Sequence, residues 1–279
     1  MRIEELTRKV KEVPALPAIT RRVLQLTDDA NSTVRDLNDV ISQDQGLTAK
    51  VLRLANSAYY GFPRRIYSIS EAIILLGFST IRSLVLAASV YNMLGKPLEG
   101  YALPPGELWK HSLACAMGSR LIAQRVKYRY LEQAYTTGLL HDIGKVILSY
   151  YLKEQYQTVI QKVQQEMLPF NEVEEQLLGY NHAVVGARVA EKWNLPLEMV
   201  ESIEHHHQPT RATKNLPLAC ITHLSDAMCM SMGIGLGLDG LHYAFNDKAM
   251  DILKLKGEDL EQMMSLLADS MIDGDTILA

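Results

Sequence analysis

Cysteine is scarce in this 279-residue chain, and its three occurrences, Cys115, Cys220 and Cys229, form no C-x-x-C pair. An odd number without that spacing argues against a disulfide framework or a zinc knuckle and points to reduced thiols in a cytosol. Positive charge is in short supply as well. Twenty-eight Lys and Arg face 32 Asp and Glu, for a net charge of −4 and a pI of about 6.1, so the field needed to hold nucleic acid or an anionic membrane nonspecifically is missing. The first ten residues alternate charged with apolar side chains, whereas a signal peptide needs an unbroken apolar stretch. No uninterrupted apolar run of about 18 residues stands out, and no membrane span is expected. Internal repeats and alternating runs joined by tight turns are also absent, which leaves an all-α chain that is not a solenoid.

What is present is a globular composition, 48% apolar and 22% charged, long enough for one large domain or two ordinary ones. Helix punctuation is clear. Pro14 and Pro17 precede a helix over about 19–27, Thr33 with Asp36 opens a second running to Ile41, and Asp44 caps a third with Leu47, Val51 and Leu54 on one face. Ser68 and Glu71 have the spacing of a capping box, Gly77 interrupts the helix they open, and residues 79–94 are apolar enough to be central to a core. The Pro- and Gly-rich stretch 95–106 is the expected junction. It separates an N-terminal helical bundle of about five helices, 1–96, from a second helical domain, 97–245, with a C-terminal helix and tail over 246–279. Helices are expected at 107–126, 131–151, 153–167, 171–179, 182–193, 196–207 and 216–232, then within 246–272.

The histidines are unevenly placed: all eight lie beyond residue 110, seven of them from His111 to His223. Imidazole is the commonest transition-metal donor, and carboxylates are interspersed here. Glu107 and His111, four apart, share a helix face. His141 and Asp142 are adjacent within Gly138-Leu-Leu-His-Asp-Ile-Gly-Lys145, where Gly144 permits close backbone approach. Adjacent helix positions diverge by about 100°, so this pair must reach a shared cation from two sides. His182 opens a helix in which Gly186 leaves room one turn on. His205-His206-His207 end another, and Asp226 lies on a helix whose other face is apolar.

His111, the His141-Asp142 doublet with Lys145, and the late Asp226 form a spaced H…HD…D pattern, and through it the sequence resembles HD-domain proteins. It is more similar to the HDOD subgroup, through Leu16-Pro17, Leu52-Arg-Leu-Ala-Asn-Ser-Ala58 with Tyr60-Gly61, and Ile69-Ser-Glu-Ala-Ile73 leading to Leu76-Gly77. The resemblance implies an N-terminal helical bundle packed on an HD-type helical domain. It also implies a bacterial signal-transduction role exercised mainly through protein partners. Many HDOD members have lost HD ligands, whereas this chain keeps them. Against the wider ligand set of the related HD-GYP phosphodiesterases, Glu107, His111, His141, Asp142, His182, His206, His207 and Asp226 each find a place as metal ligands, which implies a di- or trinuclear site. Gln208-Pro209 stands where those enzymes continue with a glutamate and Gly-Tyr-Pro, so their cyclic-dinucleotide hydrolysis does not carry over.

A donor set rich in imidazole suits iron or manganese, accommodates zinc or nickel, and disfavours an all-oxygen magnesium or calcium site. If the domain is catalytic, the expected chemistry is metal-dependent phosphohydrolase or phosphodiesterase action on a nucleotide or cyclic dinucleotide. Asp142 would bridge two cations, and Lys145 would stabilise phosphate or neutralise the cluster. Plainer readings compete: Glu107 complements a helix dipole, Lys145 pairs with a buried carboxylate, and Asn56, Tyr59 and Tyr60 close a helix end. The methionines read as core filler. His205 and His223 are expected in supporting or surface positions, and His242 has no expected role. With no receiver or sensor segment evident, the input signal is expected from another chain or from the metal itself.

Overall fold

The computed structural model describes residues 15–151, 153–235 and 245–272. Pro14, the charged N-terminal segment and His242 lie outside them. The described residues are all-α, with one isolated antiparallel bridge between Leu98 and Leu103 and no strand. The chain divides into two compact units, one holding residues 16–92 with 265–272 and the other 93–264.

In the first unit the helices are α1 (Ala18–Asp28), α2 (Val34–Ile41), α3 (Gln45–Ala55) and α4 (Ile69–Leu94). Their starts follow the expected caps. Thr33 and Asp36 close a reciprocal capping box, and the Asp44 carboxylate accepts the Leu47 N–H at 2.9 Å, satisfying donors that the first turn leaves open. Ser68 accepts from the Glu71 N–H, while the Glu71 carboxylate reaches back to the Tyr67 N–H. Gly77 sits at φ 81°, ψ 165° inside α4, a conformation open essentially to glycine alone, and it kinks the helix there. By length and composition α4 would pass for a membrane span. Its apolar side chains are used inside the unit, however: Ile73, Ile81, Leu84, Val85, Leu86 and Val90 are buried, which identifies it as a core helix. Asn56 acts as a clamp. Its amide donates to the Leu52 and Ile66 carbonyls and its oxygen accepts the Ile66 N–H, all at 2.7–2.8 Å, so the structural reading of this residue holds.

The second unit contains α5 (Glu107–Arg125), α6 (Leu131–Leu140), α7 (Ile143–Tyr151), α8 (Lys153–Glu166), α9 (Phe170–Leu178), α10 (His182–Lys192), α11 (Leu197–Glu204), α12 (Leu216–Ser231) and α13 (Asp247–Leu253), and α14 (Gly257–Ile272) starts in it. Helix α5 packs on α6 and α12, and α10 packs on α7 and α11. Three boundaries differ from expectation. The span 131–151 is two helices separated by a turn at His141 and Asp142. Helix α11 stops at Glu204, leaving the three histidines in the following turn. The C-terminal span is two helices, because Lys254 adopts φ 55° between them.

Candidate metal centre

The histidine cluster assembles at the crossing of α5, α7, α10 and α12. His111 projects from the second turn of α5, and Asp226 from α12, which packs beside it. His182 is the first residue of α10, whose N-cap Asn181 accepts the Ala183 and Val184 N–H groups. The His141–Asp142 turn is brought against α10 by Gly144: a Cβ there would lie 1.9 Å from the His182 carbonyl oxygen and 2.7 Å from the Gly186 nitrogen. The close approach expected at Gly144, and the room expected at Gly186, are therefore the two sides of one contact.

The rings are held by one device used repeatedly. His141 Nδ1–H donates to the Gly138 carbonyl at 2.7 Å, His206 Nδ1–H to the Ile203 carbonyl at 2.7 Å, His111 Nδ1–H to the Ile234 carbonyl at 3.0 Å, and His182 Nδ1–H to Glu174 at 2.8 Å. A ring nitrogen facing a carbonyl or carboxylate must carry the proton, so each Nε2 is turned inward, the arrangement that fixes tautomer and orientation in metal-binding imidazoles.

Asp142 lies between two groups of these nitrogens. Its Oδ2 is 3.7 Å from His111 Nε2 and 3.5 Å from His141 Nε2, whereas its Oδ1 is 3.3 Å from His182 Nε2 and 3.9 Å from His206 Nε2. Asp226 Oδ1 completes the first side, 3.1 Å from His111 Nε2 and 3.6 Å from His141 Nε2. On the second side His207 Nε2 is 2.8 Å from His182 Nε2. Donor atoms of His182, His206 and His207, and of His111, Cys115, His141 and Asp226, fall within 4.8 Å of one another, and a third group, His141, Asp142 and His206, links the two sides. His111, His141, Asp142, His182, His206 and Asp226 are all buried.

Glu107 stands apart. It is half-buried on the first turn of α5 and belongs to none of these groups. Lys145 places its ammonium 2.7 Å from Asp142 Oδ2 and within 5.7 Å of the Tyr101 ring centre. His205 belongs to none of the groups either. His223 is buried and supports the turn, donating from Nδ1 to the His206 carbonyl and accepting the Asn246 N–H at Nε2.

Electrostatics sorts the groups. Burial opposes ionisation of Asp142, but Lys145, His141 and His182 overcome it and hold the carboxyl well below its usual range. Burial likewise opposes ionisation of Asp226, and the neighbouring imidazoles of His111 and His141 overcome it. Burial disfavours protonated His111, yet Asp226 and then Asp142 raise its pKa to about 9; for His182 Glu174 does the same, also to about 9. Burial followed by the charge of His141 pushes His206 down to about 3, and burial with His206 and His182 pushes His207 well down. A proton on His111 or His182 Nε2 thus takes the place a cation between that nitrogen and a carboxylate would occupy.

Charge pairing does not satisfy the whole cluster. His141 Nε2, His206 Nε2 and both oxygens of Asp142 are buried without a hydrogen bond of acceptable geometry. Such groups are costly unless something occupies the space between them. Inward nitrogens and an anionic carboxylate flanked by both sets fit a transition metal.

Glu174 was not among the expected site residues, yet it is completely buried and accepts four bonds: from the Tyr101 and Tyr156 hydroxyls at 2.5 and 2.7 Å, and from the His182 N–H and Nδ1–H at 2.7 and 2.8 Å. Its signal in the sequence is a carboxylate four residues after Phe170 and next to Val173, on the face those buried side chains define.

The HDOD domain profile matches residues 13–209. An HDOD domain protein of unknown function from Geobacter sulfurreducens is 26% identical with a TM-score of 0.77, covering 98% of this chain and 96% of that one. A candidate phosphohydrolase from Shewanella amazonensis SB2B is 27% identical with a TM-score of 0.78, covering 98% of each. A Treponema pallidum (strain Nichols) protein of unassigned function is 24% identical over 71% of this chain, which spans only 38% of that protein's length. A match across most of the residues that build both units, together with full-length likeness to a solved HDOD protein, establishes that the chain belongs to the HDOD domain family.

Proposed function

We propose that this chain is an HDOD regulatory protein whose second unit binds a pair of transition-metal ions. His111, His141 and Asp226 would hold one ion, His182, His206 and His207 the other, with Asp142 between them. The observation that carries this reading is the division of the Asp142 oxygens between two sets of inward-facing imidazoles, where His141 Nε2 and His206 Nε2 are buried and lack hydrogen bonds. Near-complete burial of the donors favours a structural or sensing role for the metal, with output through protein contacts. Exposed Tyr67 and Ile74 on the first unit support that output.

A second reading, a metal-dependent phosphohydrolase or phosphodiesterase acting on a nucleotide or cyclic dinucleotide, is favoured by Lys145. Its ammonium lies against Asp142 while the side chain keeps 12% exposure, a position from which it can meet a phosphate. Bound metal would supply Lewis acidity and lower the pKa of water.

The test is elemental analysis of protein purified without added metal or chelator, beside its His141→Ala variant. About two equivalents of transition metal per chain, reduced in the variant, is the expected result. Well-folded, metal-free wild-type protein would overturn the reading. Turnover of phosphodiester substrates that disappears in a folded Asp142→Ala variant would promote the enzymatic alternative.

A further inference from the structure

The first group of donors contains an atom that the H…HD…D pattern does not supply. Cys115 lies one turn beyond His111 on α5, completely buried, with its Sγ 3.5 Å from His111 Nε2. It shares the 4.8 Å cluster with His111, His141 and Asp226. A tetrahedral ion with bonds of about 2.0–2.3 Å needs its donor atoms roughly 3.3–3.8 Å apart. The separations here are 3.1 Å for His111 Nε2 to Asp226 Oδ1, 3.6 Å for His141 Nε2 to Asp226 Oδ1 and 3.5 Å for His111 Nε2 to Cys115 Sγ. His141 Nε2 is fully buried with no hydrogen bond.

The backbone that carries the sulfur is also held in position. The Cys115 carbonyl accepts the Ser225 hydroxyl at 2.8 Å, tying α5 to α12 one residue before Asp226. Across the other side, Gly138 on α6 brings its Cα so near that a Cβ would lie 2.5 Å from the same carbonyl oxygen. A buried cysteine is ordinarily a small apolar filler. Here the sulfur lies with the donor atoms of two imidazoles and a carboxylate within 4.8 Å of one another, beside the Cys229 thiol.

We propose that Cys115 is a thiolate ligand of the ion held by His111, His141 and Asp226, adding sulfur to the imidazoles and carboxylates of this half and suiting it to a borderline-soft divalent ion of the zinc class. This rests on the metal-binding reading above and narrows its choice of metal, because a thiolate discriminates against manganese and magnesium. On binding, the S–H bond breaks, its electron pair forms the sulfur–metal bond and the proton leaves to solvent. The other half, with imidazoles and Asp142 alone, has no such preference.

Cobalt(II) is the probe, added to metal-free full-length protein and followed by absorption together with cobalt stoichiometry. The expected result is a thiolate-to-cobalt charge-transfer band in the near ultraviolet that is lost in Cys115→Ser and kept in Cys220→Ser. Cobalt bound without that band, or a band that survives Cys115→Ser, overturns the thiolate assignment and leaves the metal centre standing. Protein that takes up no cobalt overturns both. Retention of cobalt at the His182 side shows that Cys115→Ser has folded; where it fails to fold, a band kept in both Cys220→Ser and Cys229→Ser assigns the thiolate to Cys115, and a band lost in Cys229→Ser overturns that assignment.

Discussion

The two units treat buried polarity in opposite ways. Among the described residues of 16–92, the buried polar side chains are three hydroxyl residues, Thr20, Thr80 and Ser83. Hydroxyls are readily satisfied nearby: Thr20 pairs with Ser89 at 2.6 Å, and Ser83 donates to the Ser79 carbonyl. In residues 93–264 the buried set includes His111, His141, Asp142, Glu174, His182, His206, His223 and Asp226. Burying an ionised group costs several kcal/mol unless it is compensated. Glu174 and His223 are compensated within the polypeptide, with every hydrogen-bonding atom engaged. His141 Nε2 and His206 Nε2 are left without a hydrogen bond, and Asp142 is offset by the Lys145 ammonium and the surrounding imidazoles rather than by well-formed hydrogen bonds. A core built for stability alone has the first character. The second retains groups whose natural counterpart lies outside the chain, and charge pairing among the histidines only partly replaces it.

The largest effect that would sharpen this contrast comes from one methyl group in each unit. Gly144→Ala drives a Cβ into the His182 carbonyl at 1.9 Å, a backbone-to-backbone clash between α7 and α10 that side-chain rotation cannot relieve. We expect a loss of about 3 kcal/mol or more, with loss of bound metal. Gly77→Ala meets nothing within 4 Å and suffers only from its positive φ, so it should cost about 1–3 kcal/mol and leave metal content unchanged. Urea denaturation with metal analysis of both variants measures this. Equal metal retention by the two would break the claim that the Gly144 contact sets the centre.

Next in size is removal of the metal itself. At metal concentrations near 100 times Kd, binding adds about 2.7 kcal/mol, so chelation should lower Tm by roughly 5–10 °C. Asn56→Ala, which removes three hydrogen bonds from the first unit, should cost about 1–3 kcal/mol equally with and without metal. A chelator that leaves Tm unchanged would mean that the buried charges are self-sufficient. Smaller again is Glu174→Gln: each carboxylate oxygen accepts two bonds, so an amide nitrogen at either place removes two of the four acceptances. Metal affinity should fall about 10–100-fold in a competition titration against a chromogenic chelator, with helix content intact.

How much of this was legible in the sequence depends on the range over which each signal acts. Caps at Thr33 and Asp44, the kink at Gly77 and the helical period are written in residues a few positions apart, and the all-α class comes from them. The histidines and Asp226 also announced themselves, because imidazoles concentrated in one half of a chain are unusual. What the sequence did not reveal depends on distances across the fold. Glu174 reads as one more glutamate on an amphipathic helix until Tyr101 and Tyr156 are seen to meet it. Cys115 reads as a reduced thiol until His111, one turn back, turns its Nε2 toward the sulfur. The turn at His141 and Asp142 was read as continuous helix, since no proline marks it and the flanking residues keep helical spacing; packing of Gly144 on α10 accompanies the break. Glu107 marks the opposite case: the i, i+4 spacing to His111 is real, and the carboxylate lies in none of the donor groups.

The smallest effect tests the comparison through pH. In the first unit the Thr33 hydroxyl and backbone N–H hold the Asp36 carboxyl below its ordinary value; in the second the Lys256 N–H and the Arg125 guanidinium do so for Asp259. A carboxyl depressed in the folded state stabilises fully above its unfolded value of about 3.9, and that contribution is lost as pH falls through this value toward the folded one. Asp36→Asn and Asp259→Asn should therefore be slightly less stable than wild type at pH 7, with differences that begin to fade only as pH falls below about 4. Asp36 is exposed, and Asp259, though little exposed itself, pairs with the half-exposed Arg125, so the differences are small. The metal-dependent part of stability should disappear at higher pH, because protons compete with cations for imidazole nitrogens before they reach ordinary carboxylates. Urea midpoints from pH 8 to 3, with and without chelator, separate the two: chelator sensitivity should be gone by about pH 5, while the Asp→Asn differences persist to lower pH. If both faded over one interval, the second unit's buried charges would be behaving like these two carboxylates, and the distinction between a self-contained core and one that awaits a cation would fail.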